Sequence, residues 1–447
     1  MQAAGSTDAN DITNELRQAA LPLNGVEAGR GFDDLEPLRA RLEGVRIVGL
    51  GEATHGTREF FQFKHRMVEF LARELGFTLF ILEGSYAGVG PLNDYVLGRA
   101  GPADVTAQMA RSLAVIWNTE EVREMLNWMR DYNRSQPEAR KLRFLGFDPQ
   151  LAAPSAEALL AYLQRVAPSQ VARARKAMRY LTPVTHEWAY ETFPSRPLAE
   201  RKAARRQLME FASWLAGQHR RLIAASSEAQ YRDAMQWVQL VLQSDEIRNF
   251  SGDARENHMA DNIDYLLDRA GPGARAILWA HNFHLSRVAE GFRPWESETD
   301  FRPMGSFLAR RHGAAYYAIG FAFDHGAFQA GDEDAERDAE SAGAFGGMRE
   351  FKLPPSPVNE LGARLSLAGP LYLLDLRGAT TRGAMADWLN APQPMRWIGA
   401  EFSRKWPAGN YTTPVILRDH FDALFFVRET TRARPLPYDA AVRPYRG

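Results

Sequence analysis

Two rhythms of apolar and polar positions alternate along the chain. Short runs apolar on both faces recur at Val45 to Val48, Phe77 to Leu82, Leu142 to Phe147, Ala276 to Ala280, Ala315 to Phe321, Leu371 to Asp375 and Ala423 to Val427. Runs of this length, rich in branched and aromatic residues, read as central strands covered on both sides. Helical spacing separates them, as in Phe60, Phe63, Met67, Phe70 and Leu71 on one stripe, with shorter helices expected over Asp11 to Leu21 and Phe32 to Leu42. The alternation predicts an α/β fold, a three-layer α/β/α arrangement around a mostly parallel sheet. One tract breaks the alternation. From about Pro154 to Ala270 no strand pattern appears, and Trp188, Trp214 and Trp237 stand as packing anchors in helical sequence. The organisation expected is therefore a first half of the core over 1–153, a helical insertion over 154–270 serving as lid, wall or plain bundle, and a second half over 271–447. The acidic and then Ala/Gly-rich segment from Gly331 to Gly347 reads as a solvated mobile loop.

Each early strand delivers a polar residue at its carboxyl end: Glu83, Asp148 and His281 follow the second, third and fourth. Open α/β sheets place their ligand sites at that rim. The first strand runs into Gly49-Leu50-Gly51-Glu52-Ala53-Thr54-His55-Gly56-Thr57-Arg58-Glu59, a strand-to-helix crossover. Its glycines suit a tight turn and Thr57 suits the helix N-cap. A turn has no need of a carboxylate and an imidazole so close together, which makes Glu52 and His55 candidates for chemistry. The dipole of the following helix disfavours added positive charge at His55, the condition for an imidazole that accepts a proton.

Composition narrows the alternatives. The chain has 447 residues, no cysteine and a formal net charge of -1, so thiol nucleophiles, Cys-ligated metals and disulfides are excluded and no global basic field points to nucleic acid or an anionic membrane. No apolar run approaches the roughly 20 residues of a membrane span. The polar stretch Met1 to Asn10 lacks the core of a signal peptide, and a cytoplasmic location is expected. There is no nucleophile elbow, phosphate-binding loop or dinucleotide fingerprint, and His186-Glu187 starts like a zincin helix without its second histidine. These absences direct the search to water activated by His or carboxylate.

Candidate catalytic groups are then His55, Glu52, Glu83, His281 and His284, with Arg255 as a guanidinium able to meet an oxyanion or a carboxylate. Arg58, Lys64, Asp148 and Asn282 are candidates for substrate contact. Each has a plainer reading: a capping carboxylate, a loop histidine, a turn-forming Asp148 before Pro149, a surface ion pair for Arg255, a solvated helix face for Arg58, Lys64 and Arg66. His65, His219, His312 and His420 are read as ordinary.

The run from Gly51 to Phe61 with Lys64, together with Asn93-Asp94-Tyr95-Val96-Leu97-Gly98, Trp128-Met129-Arg130-Asp131-Tyr132-Asn133, Gly146-Phe147-Asp148 and Trp279-Ala280-His281-Asn282-Phe283-His284, resembles the erythromycin esterase family from about Gly49 to Gly320. The resemblance implies hydrolysis of a macrolide lactone and a role in macrolide resistance. It implies that His55 is the base activating water, that Glu52 supports it, and that Glu83, His281 and His284 line the pocket. No cofactor and no metal is required on that reading, and the partner is a small lactone or ester. Distant relatives that cleave peptides with a metal or bind haem keep two alternatives open, a metal-dependent hydrolase of another ester or amide and a non-catalytic ligand carrier.

Overall fold

Strands buried on both faces need cover on both, and the fold provides it. A computed structural model describes residues 4–101, 105–181, 197–250, 253–293, 300–335, 348–379 and 382–437. Twelve strands are found among them: β1 (Ala20–Pro22), β2 (Ile47–Leu50), β3 (Leu79–Ser85), β4 (Arg143–Asp148), β5 (Ala276–Trp279), β6 (Tyr316–Asp332), β7 (Met348–Leu353), β8 (Leu371–Asp375), β9 (Gln393–Arg396), β10 (Glu401–Phe402), β11 (Thr412–Val415) and β12 (Ala423–Thr430). The main sheet runs β1-β8-β12-β6-β2-β5-β3-β4, with β7 and β10 joining the far part of β6, while β9 and β11 pair separately. From β12 to β4 all neighbours are parallel. At the other edge β8 and β1 turn antiparallel.

Side chains alternate between the two faces of this sheet, as the pleat demands. Val48, Phe80, Leu82, Ile277 and Trp279 join one core with Phe63 and Phe70 of the Arg58–Leu75 helix and Met125 of the Glu120–Arg134 helix. Ile47, Leu79, Ile81 and Leu278 join a second core with Ile263 of the Ala254–Ala270 helix and Leu308 of the Met304–His312 helix. The α/β architecture with a helical insertion is thus what the chain adopts. A third core, built from Leu159, Leu163, Phe211, Leu215 and Val241, belongs to the insertion alone, and Trp214 and Trp237 pack against it. Trp188 and the His186-Glu187 pair lie outside the described residues. The Ala254–Ala270 helix, at the end of the expected insertion, packs on the sheet through Ile263 and bonds Gln236 and Gln243 of the Glu228–Phe250 helix through Asn262.

Other boundaries moved for identifiable reasons. Pro37 sits in the first turn of a helix confined to Glu36–Arg41, shorter than the expected Phe32 to Leu42. The N-terminal helix ends at Ala19 because Ala20 to Pro22 pair with β8. β6 runs on past Phe321 because β12 pairs it as far as Gly326, β7 from Gly326 to Gly331 and β10 at Gly331 and Asp332, so Gly331 and Asp332 are strand and the loop begins after them. Positions 336–347 of the expected mobile loop lie outside the described residues. Among the described residues no helix is long and apolar enough to cross a membrane.

Candidate active site

The adjacent strands β2 and β5 send their connections in opposite directions. β2 leads through the Arg58–Leu75 helix to β3, and β5 leads through the Met304–His312 helix back to β6. Such a reversal opens a crevice at the carboxyl ends of the two strands. Glu52 and His55 leave β2 there, and His281, Asn282 and His284 leave β5.

The loop after β2 is shaped by close approach. Neither Gly51 nor Gly56 has a positive φ. A Cβ on Gly51 would strike Asn282 Oδ1, and one on Gly56 would strike the Gln329 carbonyl. Asn282 is fully buried: its Nδ2 donates to Phe321 O at 2.8 Å and its Oδ1 accepts from Phe321 N at 2.9 Å. It is a clamp between the two loops and β6, which corrects the expectation of substrate contact. Thr57 has the extended backbone of an N-cap, but its hydroxyl bonds Thr54 Oγ1 at 2.7 Å rather than capping the helix. The Arg58 amide donates instead to Thr431 O at 3.0 Å.

Glu52 is completely buried and accepts three donors. His55 Nδ1 lies 2.6 Å from Oε1, while Lys64 Nζ at 2.5 Å and Trp279 Nε1 at 2.8 Å donate to Oε2. Burial alone would raise this carboxyl, but the Lys64 charge and the His55 hydrogen bond outweigh it and hold the group below its usual range. An ionised Oε1 can only accept, so His55 carries its proton on Nδ1 and presents Nε2 as the basic nitrogen. Lys64 has no exposed side-chain surface, and its ammonium lies 4.1 Å from the Trp279 ring centroid. Burial lowers its pKa to about 8, with Glu52 opposing the fall. Its place beneath Glu52 corrects the second expectation of substrate contact: Lys64 holds the carboxylate that holds the imidazole.

A second network starts at Glu83. Its Oε2 accepts from the His281 amide at 2.9 Å, and its Oε1 faces His284 Nε2 at 2.9 Å and Arg255 Nη2 at 3.3 Å. Arg255 also donates to Asp148 Oδ2 at 2.5 Å, and Asp148 Oδ1 accepts the Gln150 amide at 2.9 Å. Burial pushes Glu83 upward, but the charges of His284, His55 and Arg255 hold it well below the carboxylate range. His284 Nδ1 lies 2.8 Å from Glu256 Oε2. Burial opposes its charge, yet the carboxylates of Glu256 and Glu83 raise its pKa to about 10. His284 is therefore an imidazolium with both N–H groups spent.

His281 is the opposite case. Burial, reinforced by the neighbouring His55 and His284, lowers its pKa to about 3. Its Nδ1 accepts from the Phe283 amide at 3.2 Å, which fixes the proton on Nε2. That Nε2 is buried and has no hydrogen-bond partner among the described residues. The ring lies 5.2 Å from that of His55, between centroids. Trp117 makes a T-shaped contact with His55 at 6.0 Å and Trp397 one with His281 at 6.1 Å, between ring centroids.

The structure thus brings Glu52, His55, Lys64, Glu83, Asp148, Arg255, His281 and His284 into linked networks. It does not bring in Arg58, whose guanidinium turns to Glu121 at 3.6 Å. Arg66, read as a solvated helix residue, is buried and bonds Asp34 and the carbonyls of Gly25 and Gly31. Four site residues had no role in the sequence reading. Trp279 stood in a quoted motif, Glu256 stood next to Arg255, and Trp117 and Trp397 carried no local signal at all. Among the described residues no group of three or more His, Asp or Glu side chains is placed to hold a metal ion.

The sequence model of the erythromycin esterase family matches residues 72–430, a span that begins beyond the Glu52–His55 loop. Erythromycin esterase type II of Escherichia coli is 35% identical over 117 residues, 26% of this chain and 26% of that protein. A putative hydrolase of Bacillus subtilis, YbfO, is 23% identical over 93% of this chain and 90% of its own length. Among solved structures, a succinoglycan biosynthesis protein superposes with a TM-score of 0.78 at 23% identity, covering 96% of this chain and 98% of its own. An erythromycin esterase mutant in an open conformation gives 0.69 at 19% identity over 92% of this chain and 96% of its own. With four-fifths of its length matched by the family model, this chain belongs to the erythromycin esterase family.

Proposed function

We propose that this protein hydrolyses carboxylic esters, specifically the lactone of a macrolide antibiotic, with water activated by His55. The observation that carries the reading is a neighbouring pair of imidazoles whose hydrogen bonds leave complementary nitrogens for chemistry. With its Nδ1 held by Glu52 at 2.6 Å, His55 has Nε2 as the nitrogen left to take a proton, and the Nε2–H of His281, in a ring 5.2 Å away, has no partner among the described residues.

In this mechanism His55 Nε2 takes a proton from water while the water oxygen bonds the lactone carbonyl carbon. The imidazolium that forms is stabilised by Glu52, whose other oxygen remains neutralised by Lys64. His281 Nε2–H donates to the carbonyl oxygen as it becomes an alkoxide, a contact stronger in the transition state than in the bound ester. The tetrahedral intermediate collapses by breaking the ring C–O bond, and the proton on His55 passes to the departing alkoxide. The products are the acid and the alcohol of one opened chain. Because His281 Nε2 is buried, a substrate reaches it only when neighbouring side chains give way.

The macrolide assignment is supported by the two similar proteins named erythromycin esterases, and resistance would follow from ring opening. Incubation with erythromycin, a panel of other lactones and simple esters, followed by mass spectrometry, tests it through the gain of one water. We expect turnover that chelator dialysis leaves unchanged and that His55→Asn lowers by about 10²–10⁴ without loss of folding. Wild-type protein that adds water to no ester overturns the reading, and a His55→Asn rate within about tenfold of wild type removes His55 from the base role.

A further inference from the structure

Glu256 has no part in the mechanism above, yet it is buried, carries a carboxylate and lies one residue from Arg255 at the start of the Ala254–Ala270 helix. Both of its oxygens reach His284 Nδ1, at 2.9 and 2.8 Å, and Oε2 also accepts the Met304 amide at 2.9 Å. From there the contacts form an unbroken line: Glu256 to His284, His284 Nε2 to Glu83 Oε1, and Glu83 Oε2 to the His281 amide. The line ends at the residue whose free N–H is the oxyanion donor.

We propose that Glu256 is a positioning residue which, by keeping His284 a cation clamped between two carboxylates, fixes Glu83 and through it the backbone of His281. The physical reason is that Glu83 is buried, and a buried carboxylate stays ionised only beside compensating charge. Two cations touch it directly, His284 and Arg255, with His55 acting from further off, and Arg255 is shared with Asp148 at the shorter distance. If His284 lost its proton, Glu83 would depend on a guanidinium already committed elsewhere. Its grip on the His281 amide would weaken, and the donor would drift from the place the oxyanion occupies. The charged and titratable groups facing His284 are Glu256 from its helix, Glu83 from β3 and His281 from its own loop, with Arg255, Asp148 and His55 one contact further. Of these only Glu256 bears on Nδ1. Its hold on Met304 ties the same point to the start of the next helix.

The kinetic part rests on the esterase reading; the structural part does not. In protein labelled with 15N-histidine, with the His284 signal assigned by its loss in His284→Asn, wild-type His284 should remain doubly protonated from about pH 6 to about pH 9. Glu256→Gln keeps the size and an acceptor for Met304, removes the charge, and should bring the His284 titration into that window. Turnover should fall about 10²-fold with KM within a few-fold, the signature of a displaced donor rather than lost binding, and Glu256→Asp should recover part of it. A wild-type His284 that titrates in this range overturns the proposal even if the variant does not fold. So does Glu256→Gln with an unmoved His284 titration, or with a shifted titration and wild-type turnover. Wild-type protein inert toward every ester would sink the esterase reading and leave the imidazole measurement to decide this one.

Discussion

Replacing His281 by alanine tests the oxyanion assignment most directly, because its magnitude and its pH dependence both follow from the geometry. The residue is 3% exposed, one nitrogen is occupied by the Phe283 amide, and the other has no partner among the described residues. Removing a preorganised donor of this type lowers turnover by about 10²–10³, or about 2.7–4 kcal/mol of transition-state stabilisation. The pH behaviour separates this role from the alternatives. A group held neutral down to about pH 3 does not change its protonation in the working range of the enzyme. The ratio of wild-type to variant rates should therefore stay constant from about pH 5.5 to about pH 9, whereas a base or a charged donor titrating within it would make the ratio slope. Single-turnover hydrolysis of the lactone identified as substrate gives the ratio. Thermal unfolding should show a modest loss, of ~1 kcal/mol for the helix cap, which is too small to mimic the kinetic effect. A loss under about tenfold, or a ratio that varies more than about threefold across the range, would refute the donor role.

Two further expectations concern stability. Asn282→Ala leaves the Phe321 N–H and C=O without partners in a buried place, at ~1–3 kcal/mol for each group, so the urea midpoint should drop steeply. A raised KM with an unmoved midpoint would return Asn282 to substrate contact. Acid should also destabilise the fold through His65, His281 and His420, whose pKa values burial lowers to about 4, 3 and 3. With unfolded values near 6.5, the unfolded chain binds more protons below that pH, so stability rises with pH between about 4 and 6.5 by up to ~1.4 kcal/mol per unit for each imidazole. His284 acts the other way at higher pH, its contribution being complete below about 6.5 and lost only as pH rises toward 10. His65→Phe should flatten the acid slope of urea unfolding relative to wild type; parallel curves would contradict the neutral, buried state of His65.

What the chain announced and what it concealed divide along a physical line. Strand ends were readable because an apolar run broken by one carboxylate or imidazole, as at Leu82-Glu83 or Ala280-His281, has few explanations other than a site at the sheet's rim. The partners were not readable, because a charge acquires its meaning from groups remote in sequence. Lys64 and Arg66 illustrate this. On an isolated amphipathic helix both belong in water, and the sequence reading put Arg66 there and turned Lys64 toward a substrate. In the fold Lys64 finds Glu52 twelve positions earlier and Arg66 finds Asp34 thirty-two earlier, so a helix with Phe60, Phe63 and Phe70 on one side buries Lys64, His65, Arg66 and Glu69 as well. Asn282 misled for the same reason: its position in the motif suggested a ligand contact, and its actual partner is the backbone of Phe321, thirty-nine residues on. Hydrophobic periodicity measures the average environment of a helix face, whereas a buried ion needs one specific counter-charge, and only the tertiary arrangement supplies it. The opposite charge states of His281 and His284 follow from that rule. Three residues apart in one short segment, they differ because two carboxylates reach the second ring and a backbone amide meets the first.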